Sequence, residues 1–125
     1  MEKTVTLKNS TDVQIRDLTE NDVDRSLTFF RNLPPNERIY LRNDVTRREV
    51  VEERIRIMSS GRIRRLVAIH DDQIVADGSL ESEGYSWKGH VSELRILVAP
   101  AFRHQSLGML LARDLYLIAA SKKVE

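Results

Sequence analysis

Between residues 63 and 98 three apolar strand signals follow one another: Ile63 to His70 around Leu66-Val67-Ala68-Ile69, Gln73 to Glu81 around Ile74-Val75-Ala76, and Val91 to Val98. Asp71-Asp72 joins the first two, and the pair reads as a hairpin. A polar connection from Ser82 to His90, holding Gly84, Tyr85, Trp87 and Gly89, leads into the third strand, which Pro100 stops. This run predicts a mostly antiparallel sheet onto which the rest of the chain must pack.

The flanking segments supply the packing pieces. Val13 to Asp17 alternates and reads as a further strand. Thr19 is a suitable helix N-cap with Asp22 three residues on, and Val23, Leu27 and Phe30 then fall on one helical face. The expected helix over 20–31 ends before Pro34-Pro35. A polar connection over 36–43 holds Ile39, Tyr40 and Leu41. A second helix is expected from near Thr46, with acidic residues early, Arg54 and Arg56 late, and Gly61 as a left-handed cap. A last helix is expected from about Ser106 to Lys122, with Leu107, Leu110, Leu111, Leu115 and Ile118 on one side. The order is strand, helix, helix, three strands, helix. Residues 1–12 are read as an N-terminal extension, and Val124-Glu125 as the possible opening of another strand.

At 125 residues the chain is one domain's length and long enough to bury a core. Apolar residues make up 41% and charged residues 31%, which argues against a disordered chain. There is no cysteine, which excludes a disulfide framework, a thiolate metal site and a cysteine nucleophile. Twenty basic and nineteen acidic side chains leave a net charge of +1, so no overall field favours a nucleic acid. No apolar run approaches the roughly 18 residues of a membrane helix, and Met1-Glu2-Lys3-Thr4 lacks a signal-peptide core. The expected location is cytoplasmic.

Chemistry concentrates between Leu94 and Arg113. A strand ends in Val98-Ala99-Pro100, a short basic turn follows, and a helix opens with small residues, Ser106 and Gly108. Free backbone N–H groups at a helix N-terminus bind phosphate, and small side chains let the phosphate approach them. Arg103 and His104 add positive charge at the rim.

This stretch resembles the acetyl-CoA pyrophosphate loop of the GNAT acetyltransferase superfamily, whose pattern is Gln/Arg-x-x-Gly-x-Gly/Ala after a strand ending Val-x-Pro. Arg103-His104-Gln105-Ser106-Leu107-Gly108 matches at its first and last positions and departs at Ser106, where the family usually has glycine. The element order over 13–125 is similar to the family's as well. The resemblance implies an α+β fold, a GNAT-like mixed, mostly antiparallel sheet flanked by helices, with the C-terminal third of the fold missing from a single, incomplete domain over 1–125. It implies acetyl-CoA as cosubstrate, with no metal, and an amine acceptor attacking the thioester directly. Arg103, His104, Gln105, Ser106, Leu107, Gly108 and Met109 would surround the pyrophosphate, and Leu97 and Val98 would meet the pantetheine arm through main-chain groups. Glu93, in an otherwise apolar strand, is the expected general base, with Glu81 and Glu83 in reserve. The family's tyrosine acid lies in a later helix, so no such role passes to Tyr116. Phe29-Phe30 to Leu41-Arg42, with Leu33-Pro34-Pro35, bears a fainter resemblance to GNAT domains that modify protein lysines and accompany acyl-CoA synthetase modules. If the next strand is lacking, the Val91–Val98 edge is bare and a homodimer through it is expected.

Plainer readings stand beside these. Glu93 can pair with Arg95, and the leucines of the last helix are core. His70, His90 and His104 have no metal-ligand spacing. Tyr85 and Trp87 can cover the sheet instead of touching substrate. Arg54, Arg56, Arg62, Arg64 and Arg65, with Arg47 and Arg48 nearby, read as a solvated helix end and strand start rather than a nucleic-acid surface. The alternative to an acetyltransferase is a catalytically inactive GNAT-like module that binds CoA or a protein.

Overall fold

The computed structural model describes residues 1–38, 44–82 and 91–123. Five strands, β1 (Glu2–Thr6), β2 (Asp12–Asp17), β3 (Ile63–His70), β4 (Gln73–Ser82) and β5 (Val91–Val98), form one sheet in chain order. Every pairing is antiparallel. The helices are α1 (Val23–Asn32), the single turn α2 (Pro35–Arg38), α3 (Arg48–Arg56) and α4 (Leu107–Lys123). The hairpin, the third strand and the last helix thus fall where the sequence places them. The mixed sheet implied by the resemblance is antiparallel throughout the described residues. Tyr40, Leu41, Glu83, Gly84, Tyr85, Trp87, Gly89, His90 and Val124-Glu125 lie outside them.

Residues 1–12 are not an extension. Glu2–Thr6 pairs with β2 from Glu2↔Arg16 to Thr6↔Asp12, and Leu7 is buried in the core. Lys3 reaches across to α4 and bonds Asp114 at 2.8 Å. The Asp71-Asp72 turn has φ of +50° and +61°, the backbone twist that suits a two-residue hairpin.

The sheet has two unlike faces. On one, Leu66, Ala68, Ala76, Leu80, Val13 and Ile15 pack under α4 through Leu107, Leu111 and Leu115. Gly78 permits this closeness. A Cβ there would stand 3.0 Å from Ile96 Cδ1 and 3.2 Å from Leu115 Cδ1. On the other face Val67, Ile74 and Leu97 pack against α1 and α3 through Phe29, Phe30 and Val51.

α1 is entered through a 3-10 turn, Glu20–Asp22, capped as expected by Thr19. Asp22 does more than cap. Fully buried, it takes both Arg16 Nη1 and Nη2 at 2.8 Å and the Thr19 N–H at 2.8 Å. Burial alone would raise its pKa, but the Arg16 and Thr19 hydrogen bonds hold it below the ordinary value. α3 ends through a 3-10 turn at Gly61, with φ of +78° as the left-handed cap requires.

Candidate functional site

After β5, a 3-10 turn at Pro100–Phe102 leads into the segment 103–106, and α4 begins at Leu107. The backbone here alternates: Arg103 is extended at φ −73°, while His104 and Ser106 both take φ +65°. The two left-handed residues bend the chain sharply just ahead of the helix. Ser106 accepts from the Leu110 N–H at 3.1 Å and so opens the helix. The N–H groups of Leu107, Gly108 and Met109 belong to the first turn, where no intrahelical acceptor exists.

The side chains of the loop do work of their own. Arg103 Nε donates to the Val98 carbonyl at 3.1 Å, and its Nη2 bonds Glu37 of α2. The rim charge expected of Arg103 is therefore already met by a carboxylate and a carbonyl. Gln105 Oε1 accepts the Asn9 N–H at 3.0 Å and fastens the loop to the β1–β2 turn. Leu107 is buried in the core and can meet a ligand only through its main chain, whereas Met109 is 72% exposed. Gly108 has a packing reason to be small. A Cβ would lie 3.3 Å from Ile96 Cγ2 and 3.7 Å from Val98 Cγ2, so its absence lets the first turn of α4 rest on β5.

Leu97 and Val98 point to opposite faces, Leu97 toward α1 and α3, Val98 toward α4. Among the described residues no strand lies beyond β5, so half of its main-chain groups face away from β4.

Glu93 lies on the α3 face of β5, opposite Glu81 of β4. It accepts Arg95 Nε at 2.8 Å and is 29% exposed, so it is neither deeply buried nor alone. Charges line this part of the sheet in register. Arg65, Ser79 and Arg95 form one row, Ile63, Glu81 and Glu93 the next, and Val67, Asp77 and Leu97 the row on the other side. Arg54 of α3 leans over them, 4.8 Å from the centre of the Phe30 ring and 3.9 Å from Asp77 Oδ1.

Two of these arginines correct the sequence reading. Arg65 is only 7% exposed and the Arg54 side chain 13%, so neither belongs to a solvated surface. Burial, reinforced by neighbouring Arg54, pushes the Arg65 pKa down to about 10 against the opposing pull of Asp77 and Glu81. The strand alternation carried the signal: Arg65 shares a face with Val67, which α1 and α3 cover. Arg56, by contrast, is solvated at 71% exposure and pairs with Glu53.

His70 Nδ1 donates to the Asp12 carbonyl at 3.1 Å, and the ring lies 5.4 Å from the Phe102 ring centre. Among the described residues no three His, Asp or Glu side chains converge as a metal set. A cavity of about 590 Å³ opens between α1, the β3–β4 turn and Ala99–Phe102. Phe29, Ile74 and Val75 contribute to it, and none of the sequence-predicted site residues does. No helix of the described residues is long and apolar enough to cross a membrane.

No family model matches the sequence, and no curated protein matches it. Solved structures do match. The GNAT domain of S. lividans PAT superposes with a TM-score of 0.81 at 15% identity, over 98% of this chain and 73% of that one. The PaiA N-acetyltransferase from Thermoplasma acidophilum, in complex with coenzyme A, gives 0.68 at 18% identity, over 88% and 73%. The ribosomal-protein-alanine N-acetyltransferase from Brucella melitensis gives 0.66 at 24% identity, over 88% and 68%.

Proposed function

From a chain that carries the fold of the GNAT acetyltransferases, we propose that it binds acetyl-CoA and moves the acetyl group to a primary amine. The observation that carries the reading is the 103–108 loop. Its left-handed His104 and Ser106 bend the chain ahead of the first-turn N–H groups of a seventeen-residue helix, and the residues there are those that sequence resemblance marks for pyrophosphate. A neighbour of the same fold holds coenzyme A. Ser106, standing where the pattern has glycine, nevertheless takes the positive φ that glycine would supply.

In this reading His104, Gln105, Ser106, Leu107, Gly108 and Met109 offer main-chain donors to the diphosphate. Arg103 shapes the loop from beneath through Val98 and Glu37. The outward N–H of Val98 receives the pantetheine arm; the main-chain groups of Leu97 face β4, and the Val98 carbonyl is already held by Arg103. The amine nitrogen attacks the thioester carbonyl carbon, the carbon–sulfur bond breaks, and the sulfur leaves as thiolate. Glu93 takes the proton that the amine must lose, directly or through one water, and Arg95 holds that carboxylate in place. The acceptor is an amine of a small molecule or of a protein. Location in the cytoplasm and pairing of two copies along β5 belong to the same proposal.

A second reading is a module that binds CoA without turnover, and the Glu93–Arg95 pair favours it, since an ion-paired carboxylate is a weaker base. Calorimetric titration of acetyl-CoA separates loop from chemistry. Micromolar binding is expected, and absence of binding removes both readings. Glu93→Gln should keep that affinity and lower amine acetylation by about a hundredfold or more; an unaltered rate takes the base role from Glu93.

A further inference from the structure

The loop and Glu93 leave one feature of the α3 face without a purpose. Arg65 is enclosed, yet its Nε has no hydrogen-bond partner, and no Asp or Glu oxygen lies within ion-pair distance of its guanidinium among the described residues. A buried guanidinium ordinarily has a carboxylate fitted to its fork. Here the adjacent carboxylate, Asp77, is itself left with an unpartnered Oδ2, and its Oδ1 stands 3.9 Å from Arg54, farther than in a contact pair. Two guanidiniums thus approach one carboxylate, with positive charge to spare at Arg65. One row along the sheet, the balance reverses: Glu81 and Glu93 face each other across β4 and β5, with Arg95 between the rows. Two residues along a strand span roughly 6.7 Å, so the cationic and acidic rows are separated by about the length of a short amino acid chain.

We propose that Arg65, with Arg54 beside it, anchors a carboxylate carried by the acceptor, so that the acceptors of this chain are amines bearing a carboxylate a few bonds from the nitrogen. The inference rests on the acetyl-transfer reading for the amine end and on Arg65 alone for the acid end. A planar carboxylate meets the guanidinium fork with two parallel hydrogen bonds and supplies the acceptor that Nε lacks. The amine then lies toward Glu93. Keeping such an arginine desolvated disfavours the folded chain, which is the expected mark of a side chain held for a ligand rather than for packing.

The test compares 4-aminobutyrate with its neutral isostere 4-aminobutanamide as acceptors, following release of the CoA thiol by the full chain. In parallel, 4-aminobutyrate is titrated calorimetrically without acetyl-CoA. The acid should be preferred about tenfold or more, mainly in KM. Arg65→Met should use the two amines equally and melt no lower than the parent chain. Arg65→Lys, which keeps charge without the fork, should retain only part of the preference, and it serves if the methionine variant does not fold. Equal use of both amines by the parent chain, or a preference that survives Arg65→Met, overturns the anchor and leaves acetyl transfer standing. Acetyl-CoA binding with no turnover of either amine removes acetyl transfer instead. The titration then decides the anchor alone: heat of 4-aminobutyrate binding that vanishes in Arg65→Met upholds it, and no heat overturns it.

Discussion

The two faces of the sheet are built on different physics. Under α4 the centre of the sheet is apolar, with charges confined to the Lys3–Asp114 and Arg64–Asp17 pairs, and the fit is close enough that Gly78 and Gly108 have no room for an easy Cβ. Under α1 and α3 only part of the face is apolar; the rest carries Arg65, Asp77, Ser79, Glu81, Glu93 and Arg95, together with Arg54 above. The first face maximises apolar area removed from water, at roughly 25 cal/mol per Å². The second places charges where desolvation works against them. A chain this short has little stability to give away; on the α4 face the charges are matched in the Lys3–Asp114 and Arg64–Asp17 pairs, whereas the unmatched Arg65 on the α3 face is what the proposed ligand site would explain.

The comparison can be broken by three measurements. Leu111→Ala on the α4 face should cost the most, about 2–5 kcal/mol in urea denaturation, because the leucine is fully enclosed and α4 cannot collapse around the space. A cost under about 1 kcal/mol would mean that this face is looser than its glycines indicate. Asp22→Asn should cost about 3 kcal/mol near neutrality by leaving Arg16 without its carboxylate. Since the folded Asp22 titrates below its ordinary value, that stabilisation is present above about pH 4 and is lost as pH falls through the folded pKa. Parent and variant should therefore converge in strong acid, and a constant gap down to pH 2 would remove the Asp22 pair as the cause. Ser106→Gly should give the smallest change, a gain of about 1 kcal/mol, because it relieves a left-handed serine. A loss instead would mean that the hydroxyl supports the loop.

The sequence announced the α4 side far better than the other. Leu107, Leu111 and Leu115 recur at helical spacing and are core, and the Val98-Ala99-Pro100 stop marked the end of β5. Thr19 and Gly61 announced a start and a stop through capping chemistry that depends only on neighbours. β1 was missed because its residues are largely polar. Lys3 is satisfied by Asp114 on a helix more than a hundred residues away, which no local pattern reveals. α2 was missed because Pro35, read as a stop, also suits the first position of a helix. Arg54 and Arg65 sit in a run of arginines that looks uniformly solvated. Strand alternation puts Arg65 on the Val67 face, but that α1 and α3 cover this face depends on tertiary packing. The loop was legible as a motif, but Arg103 was given to the rim because its partner, Glu37, lies on an element that had not been read.

The hydrogen bond from Asn9 to Gln105 spans 96 positions, and the Lys3–Asp114 bridge spans 111. Both join the first hairpin to the last helix and its approach. Contacts of such long sequence separation form only after large loops have closed, and they slow folding more than they add to final stability. The β3–β4 hairpin can assemble from neighbours as soon as its residues are available. The loop ahead of α4 gains its support from Asn9 only when the two ends of the chain have met, so its completion belongs to the closing stage of folding.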